Sequence, residues 1–226
     1  QKNKAGSFGS IKNHLNSIYD FEKINTDLYA RKIKKLISDF NISNKLQKEF
    51  NWSEDTVLLI SYADSIYSSK KNNTLKTLKS FHKDYFDNVF DCVHILPFFP
   101  SSGDGGFSVM DHGEVDKKYG DWKDIKLYSK NKNIMADIVI NHSSSKGIWF
   151  QNFLKGQEPG KNHFFIIEDK FDTTNVIRTR DHNLSQRFKV NGTYKNLWCT
   201  FSEDQIDLNF KNPDVLLDFI KIIIDL

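Results

Sequence analysis

At 226 residues, 38% hydrophobic and 27% charged, the chain is long enough for one large domain or two small ones, and it reads as globular rather than disordered. A net charge of +3, carried by lysines interspersed with acids, argues for a solvated mixed surface and against a nucleic-acid-binding face. The strongly apolar stretches fall well short of the roughly 20 residues a membrane span needs, so no membrane partner is expected. Only four alanines occur (Ala5, Ala30, Ala63, Ala136) while Lys, Asn and Ile abound. This background bias cautions against reading function into the lysines. Cys92 and Cys199 sit apart in apolar contexts, as free buried thiols in a reducing, cytoplasmic compartment would. The chain starts at Gln1 and stops inside the pattern "LLDFIKIIIDL", which reads as a piece of a longer protein.

Residues 1–10 read as frayed, and residues 11–50 as helical. Ile11, Leu15, Ile18 and Tyr19 make one apolar face; Ile33, Leu36, Ile37 and Phe40 make another. At Thr56–Tyr62, "TVLLISY", the period changes to the continuous β-branched run of a strand covered on both faces. Helical spacing returns over residues 74–90, with Leu75, Leu78, Phe81 or His82, Tyr85 and Phe86 inward. Cys92–Phe98 is a second strand. Asp121–Lys130 is a short helix with Trp122, Ile125 and Tyr128 inward, and Ile134–Ile140 is a third strand. Strand starts lie roughly 35 to 43 residues apart with a helix between them. That βαβαβ progression predicts a parallel sheet with helical crossovers, as an open doubly wound sheet or a closed barrel. Residues 143–209 break the rhythm and read as a small irregular insertion. Asn212-Pro213 then starts a helix, with Asn as N-cap and Pro at its first position.

Polar residues follow each strand: Tyr62 and Asp64 after the first, Asp104 and Phe107 after the second, Asn141 and His142 after the third. In a parallel sheet these strand ends share one mouth, where function is expected in either architecture. The loop "HILPFFPSSGDGGFSVMDHGEV", residues 94–115, carries Asp104 between Gly103, Gly105 and Gly106. It lacks the GxxxxGK[ST] pattern and the following helix of a phosphate loop, and an acid at its centre repels phosphate. Asp104, Asp111 and Asp116 are too sparse for a calcium loop. A plain turn exposing Asp104 to water, or a site for a neutral ligand, both stay open. Asp137 falls inside the third apolar run, either buried with a partner or exposed by its register. His142, taken alone, is structural or functional, and it has no companion ligands for a metal.

Asp137, Asn141 and His142, spaced Asp-x-x-x-Asn-His at the end of a third strand, resemble the first conserved region of the α-amylase superfamily, glycoside hydrolase family 13. "LPFFPSSGDGGFSVMDHGEVDKKYGDWKDI", "LLISYADSIY" and "TFSEDQIDLNFKNPDVL" are similar to segments of sucrose phosphorylases and their relatives. The resemblance runs from about Val57 to the end. It implies an α/β fold, the N-terminal part of a (β/α)8 barrel with a small domain B inserted after the third strand. The implied organisation is a helical extension over 1–55, three βα units over 56–145, domain B over 146–209 and a barrel helix over 210–226. It also implies a retaining enzyme using two carboxyl groups, here a glucoside phosphorylase that takes an α-glucoside and inorganic phosphate and releases α-glucose 1-phosphate, with no cofactor or metal. A hydrolase or transglucosidase on the same fold, or a non-catalytic sugar-binding module, are the alternatives.

Residue by residue, Asp104 matches the family Asp that accepts hydrogen bonds from glucose hydroxyls, His142 the His on the same sugar, and Phe107 an aromatic beside it. Gly103, Gly105 and Gly106 are expected to let the backbone turn tightly there. Asp137 and Asn141 match the structural part of the motif and brace His142 inward. Arg178 and Arg180 resemble domain B arginines at the acceptor side, where guanidinium suits phosphate; a surface arginine pair is the alternative. The family's nucleophile Asp and acid/base Glu lie in segments this chain does not contain, expected beyond Leu226, so neither Asp204 nor Asp207 takes those roles and the piece alone is expected to be inactive. A homodimer of the full-length protein stays open.

Overall fold

The structure, a computed structural model, describes residues 8–20, 23–40, 52–69, 73–177 and 180–226. In chain order the helices α1 (Phe8–Ile18) and α2 (Thr26–Asp39) come first, then strand β1 (Leu58–Ser61), helix α3 (Thr74–Phe86) and strand β2 (Cys92–Ile95). Helix α4 (Trp122–Tyr128), strands β3 (Asn133–Ala136) and β4 (His142–Ser144), and helix α5 (Ile148–Lys155) follow. Strands β5 (Ile166–Ile167), β6 (Ser185–Val190), β7 (Thr193–Trp198) and β8 (Gln205–Asp207) lead to helix α6 (Pro213–Asp225).

The chain divides into two compact units, residues 1–50 with 209–226, and residues 51–208. In the first, Leu15, Tyr19, Ala30 and Ile33 form a small core against Leu216, Leu217 and Ile220 of α6. Asn212 Oδ1 accepts from Asp214 N and Pro213 opens the helix, as the Asn-Pro pair predicts. Tyr29 Oη donates to Asp214 Oδ1 at 3.2 Å. Helix α1 starts at Phe8, earlier than its apolar face suggests, and Ile18 points outward, 60% exposed. The helical reading of residues 41–50 lies outside the described residues.

In the second unit β1, β2 and β3 form a parallel sheet in sequence order, with Leu58 opposite Cys92 and Cys92 opposite Asn133. This is the βαβαβ pattern that the hydrophobic periods require. Leu75, Leu78, Val93, Ile95, Phe98, Phe99 and Tyr128 build its core. On α3 the inward residue is His82, not Phe81, while Tyr85 and Phe86 are exposed. The third strand is shorter than its apolar run: Asp137–Ile140 leaves regular β structure and turns toward β4.

Residues 143–209 are more regular than their composition suggests. β4 pairs antiparallel with β8, and β5, β7 and β6 form an antiparallel sheet. α5 buries Phe150 and Phe153, whose rings meet Phe164 and Phe188. The β6–β7 hairpin turns on Asn191-Gly192, both at positive φ, the dipeptide that two-residue hairpins favour. Cys92 and Cys199 are free and buried. Burial pushes the Cys199 thiol up to about 12, so neither position suits a reactive thiolate.

Candidate functional site

The loop after β2 is built by its backbone. Phe107 N donates to Asp104 O at 3.0 Å, Ser102 N to Ser108 O at 3.0 Å, and Met110 N to Pro100 O at 2.8 Å. Asp104 itself is left-handed (φ 53°), as is Gly105 (φ 62°), and Gly106 has φ 103°. A Cβ at Gly106 would sit 2.4 Å from Pro97 O, so that glycine is sterically required. Gly103 is not: its φ of 165° is ordinary extended backbone with open space around it. Two of the three loop glycines therefore make the turn, and Asp, which tolerates the left-handed region, sits at its apex.

Asp104 faces a cavity of about 620 Å³ whose wall includes Tyr62, Phe107, residues Asp137 to His142, Arg180, Phe201 and Gln205. The strand-end groups thus meet at one mouth, except Asp64, which is not among the lining residues. Asp104 is partnered. Arg180 Nη2 reaches Oδ1 and Oδ2, both at 3.2 Å, and Gln205 Nε2 donates to Oδ2 at 2.9 Å. Burial pushes the Asp104 carboxyl up, but these donors and the Arg180 charge outweigh it and hold the group below the usual carboxylate range. The acid is therefore not a free surface turn residue. It is an ionised acceptor aimed at a concave site.

His142 opens β4 and is buried. Its Nε2 lies 3.0 Å from Phe107 O and 3.0 Å from Gln205 Nε2. Burial, the dominant cause, holds its pKa below the ordinary value, which favours the neutral ring. A neutral Nε2 either donates to the Phe107 carbonyl or accepts from the Gln205 amide, never both. Asp137 lies just past the end of β3, partly exposed on the cavity wall and 3.5 Å from His94 Nε2, so it is neither fully buried nor without a partner. The backbone is tied next to His142, where Leu208 N donates to Asn141 O at 3.0 Å. Arg178 lies outside the described residues.

Sequence reasoning missed Gln205 and Phe201. Gln205 is completely buried and bridges Asp104 to His142; the Phe201 ring centroid lies 5.2 Å from that of His142. Both lie in the "TFSEDQIDLN" segment already singled out, but only the β4–β8 pairing, Ser144 opposite Gln205, brings them to the mouth. Asp204 and Asp207 do not line the cavity. Asp207 is taken up by Thr200, whose N and Oγ1 donate to it at 2.9 and 2.6 Å.

Residues 62–224 match the family model described as the α-amylase catalytic domain. The chain belongs to the α-amylase family. It is 36% identical over 200 residues to the glucosylglycerate phosphorylase of Escherichia coli (strain K12), covering 86% of this chain and 35% of that protein. It is 40% identical over 175 residues to the glucosylglycerate phosphorylase of Allomeiothermus silvanus, covering 77% and 31%. Among solved structures it resembles the sucrose 6F-phosphate phosphorylase from Thermoanaerobacter thermosaccharolyticum, with a TM-score of 0.65 and 34% identity over 75% of this chain and 36% of that one. The chain thus spans about a third of the length of these relatives. Its parallel β1-β2-β3 sheet is the beginning of the (β/α)8 barrel of α-amylase family enzymes.

Proposed function

We propose that the protein is a retaining glucoside phosphorylase of the sucrose-phosphorylase type, and that this chain supplies the glucose-binding part of its active site. The observation that carries the reading is the convergence of Asp104, His142 and Gln205 on one cavity. Asp104 and Gln205 would take glucose hydroxyls, His142 the same sugar, and the Phe107 and Phe201 rings its apolar faces. Asp137 and Asn141 would brace the turn that aims His142. Residues 146–209 would act as domain B over the barrel mouth. Nucleophile and acid/base would come from sequence outside these 226 residues, and phosphate, attacking the glucosyl-enzyme in place of water, would yield α-glucose 1-phosphate.

Arg180 supports the phosphate half of the reading. Its contacts to Asp104 use Nη2; among the described residues Nη1 and Nε stay available to an anionic acceptor, and guanidinium suits phosphate and carboxylate alike. The named relatives favour glucosylglycerate as the substrate, whose glycerate carboxylate fits the same group. Buried free thiols support a cytoplasmic setting. The test is incubation of the full-length protein with glucosylglycerate, sucrose, sucrose 6-phosphate and glucosylglycerol, with and without phosphate. Phosphate-dependent release of α-glucose 1-phosphate is expected. Glucose release that ignores phosphate would replace the reading with a hydrolase or transglucosidase, and binding without turnover with a sugar-binding module.

A further inference from the structure

Behind the cavity wall, several serine hydroxyls converge on one carboxylate. Asp204 Oδ2 accepts from Ser102 Oγ and, at 2.7 Å, from Ser108 Oγ. Oδ1 accepts from Ser145 Oγ at 2.5 Å and, more loosely, from Ser144 Oγ at 3.4 Å. Ser102 Oγ lies 2.6 Å from Ser144 Oγ, and Ser145 N donates to Asp204 O at 2.9 Å. A carboxylate offers about four lone-pair sites and no donor, so this arrangement matches donors to acceptors around it. Burial pushes the Asp204 carboxyl up, but the hydroxyls of Ser102, Ser145 and Ser108, with Lys146 nearby, outweigh it and keep the group ionised.

The positions of these partners matter more than their number. Ser102 and Ser108 bracket the turn that carries Asp104 and Phe107. Ser144 and Ser145 follow His142 along β4 and just past its end. Asp204 directly precedes Gln205. Every segment that delivers a side chain to the Asp104–Gln205–His142 chain is therefore tied to one half-buried carboxylate. Asp204 and its serine partners themselves are absent from the cavity lining.

We propose that Asp204 is a positioning residue for sugar recognition, its carboxylate clamping the Asp104 loop, the His142 strand and the Gln205 segment in register. This rests on the reading of the cavity as a glucose site. Groups that grip a ligand must be held within about half an ångström, and a hydroxyl-saturated carboxylate shared by three segments does this without entering the site. Asp204→Asn keeps the shape but replaces two acceptor sites with donors, so some serine hydroxyls must turn or lose their partner.

The test is glucose titration followed by NMR on the full-length protein, which reaches millimolar dissociation constants, together with thermal unfolding. Asp204→Asn is expected to weaken glucose binding about tenfold while remaining folded. Because it acts through the Asp104 loop, its effect should shrink to less than about twofold in an Asp104→Asn background. If Asp204→Asn fails to fold, Ser145→Ala, which removes one donor, is expected to show a weaker effect of about threefold with the same coupling. Glucose affinity within about twofold of wild type in the folded variant, or effects that simply multiply in the double variant, would overturn the inference and leave the glucose site standing. Wild-type protein that binds no glucose would overturn the site reading and this inference together.

Discussion

Gly106 and His112 are the residues where local physics speaks most plainly. Gly106 combines φ 103° with a would-be Cβ contact of 2.4 Å to a backbone oxygen, so neither neighbour nor backbone can relax cheaply. Gly106→Ala is expected to cost about 2–3 kcal/mol, read as a lower urea midpoint, and to weaken sugar binding through the adjacent Asp104 turn. A neutral result would mean the loop re-forms without its left-handed turn. His112 is buried against Val139 O at 3.1 Å, and burial pushes its pKa down to about 4. The unfolded ring titrates near 6.5, so between these values the unfolded chain binds the extra proton. Stability from His112 is complete above about pH 6.5 and drains away as pH falls toward 4, about 3 kcal/mol in all. His82 and His142, also lowered mainly by burial, act in the same direction. Asp104 and Asp204, held low, lose their contribution only at more acidic pH. Unfolding curves of wild type and His112→Gln from pH 7 to 4 should converge as the pH falls; parallel curves would contradict the assignment.

At the scale of elements, two helix starts share one carboxylate. Asp124 closes the capping box of α4, accepting from Asp121 N at 3.1 Å, and also takes Asn73 Nδ2 at 2.7 Å. Asn73 is itself the N-cap of α3, its Oδ1 accepting from Lys76 N at 2.9 Å. Asp124→Ala strands a half-buried amide and a backbone N–H at once and is expected to cost about 2–3 kcal/mol. Urea titration followed by helical circular dichroism checks it, and a loss below about 0.5 kcal/mol would show that the two caps are independent. Residues 143–209 show how far element-level reading reaches. The pairing of β6 with β7 has a local cause, the Asn191-Gly192 turn, although the segment read as irregular. The pairing of β4 with β8 has none, because the strands are short and some 60 residues separate His142 from Gln205.

For the whole molecule, β1 and β3 each have one neighbour in their sheet, and Ile60 and Met135 are 59% and 37% exposed. The apolar run of the first strand led to an expectation of cover on both faces; Ile60 departs from it because nothing among the described residues packs there. Exposed apolar strand residues beside edges unpaired among the described residues are what further barrel strands would cover. On its own the 226-residue chain is therefore expected to bind hydrophobic dye, to associate with itself and to release no glucose 1-phosphate from any α-glucoside. Measured turnover by this chain would refute that.

The order of strands and helices from the first strand to the third, the parallel sheet, the Asn-Pro helix start and the strand-end positions of Asp104, Asn141 and His142 were legible in the sequence; the strands and helix of residues 142–207 were not. Each legible feature follows from local period, turn chemistry or chain direction. Other features could be seen only after folding. Gln205 and Phe201 reach the cavity, Arg180 pairs with Asp104, and Asp204 collects hydroxyls from Ser102, Ser108, Ser144 and Ser145. These contacts join residues 59 to 102 positions apart. Local period carries no record of them, because a hydrogen bond depends on where two backbones end up rather than on what lies beside each in the chain.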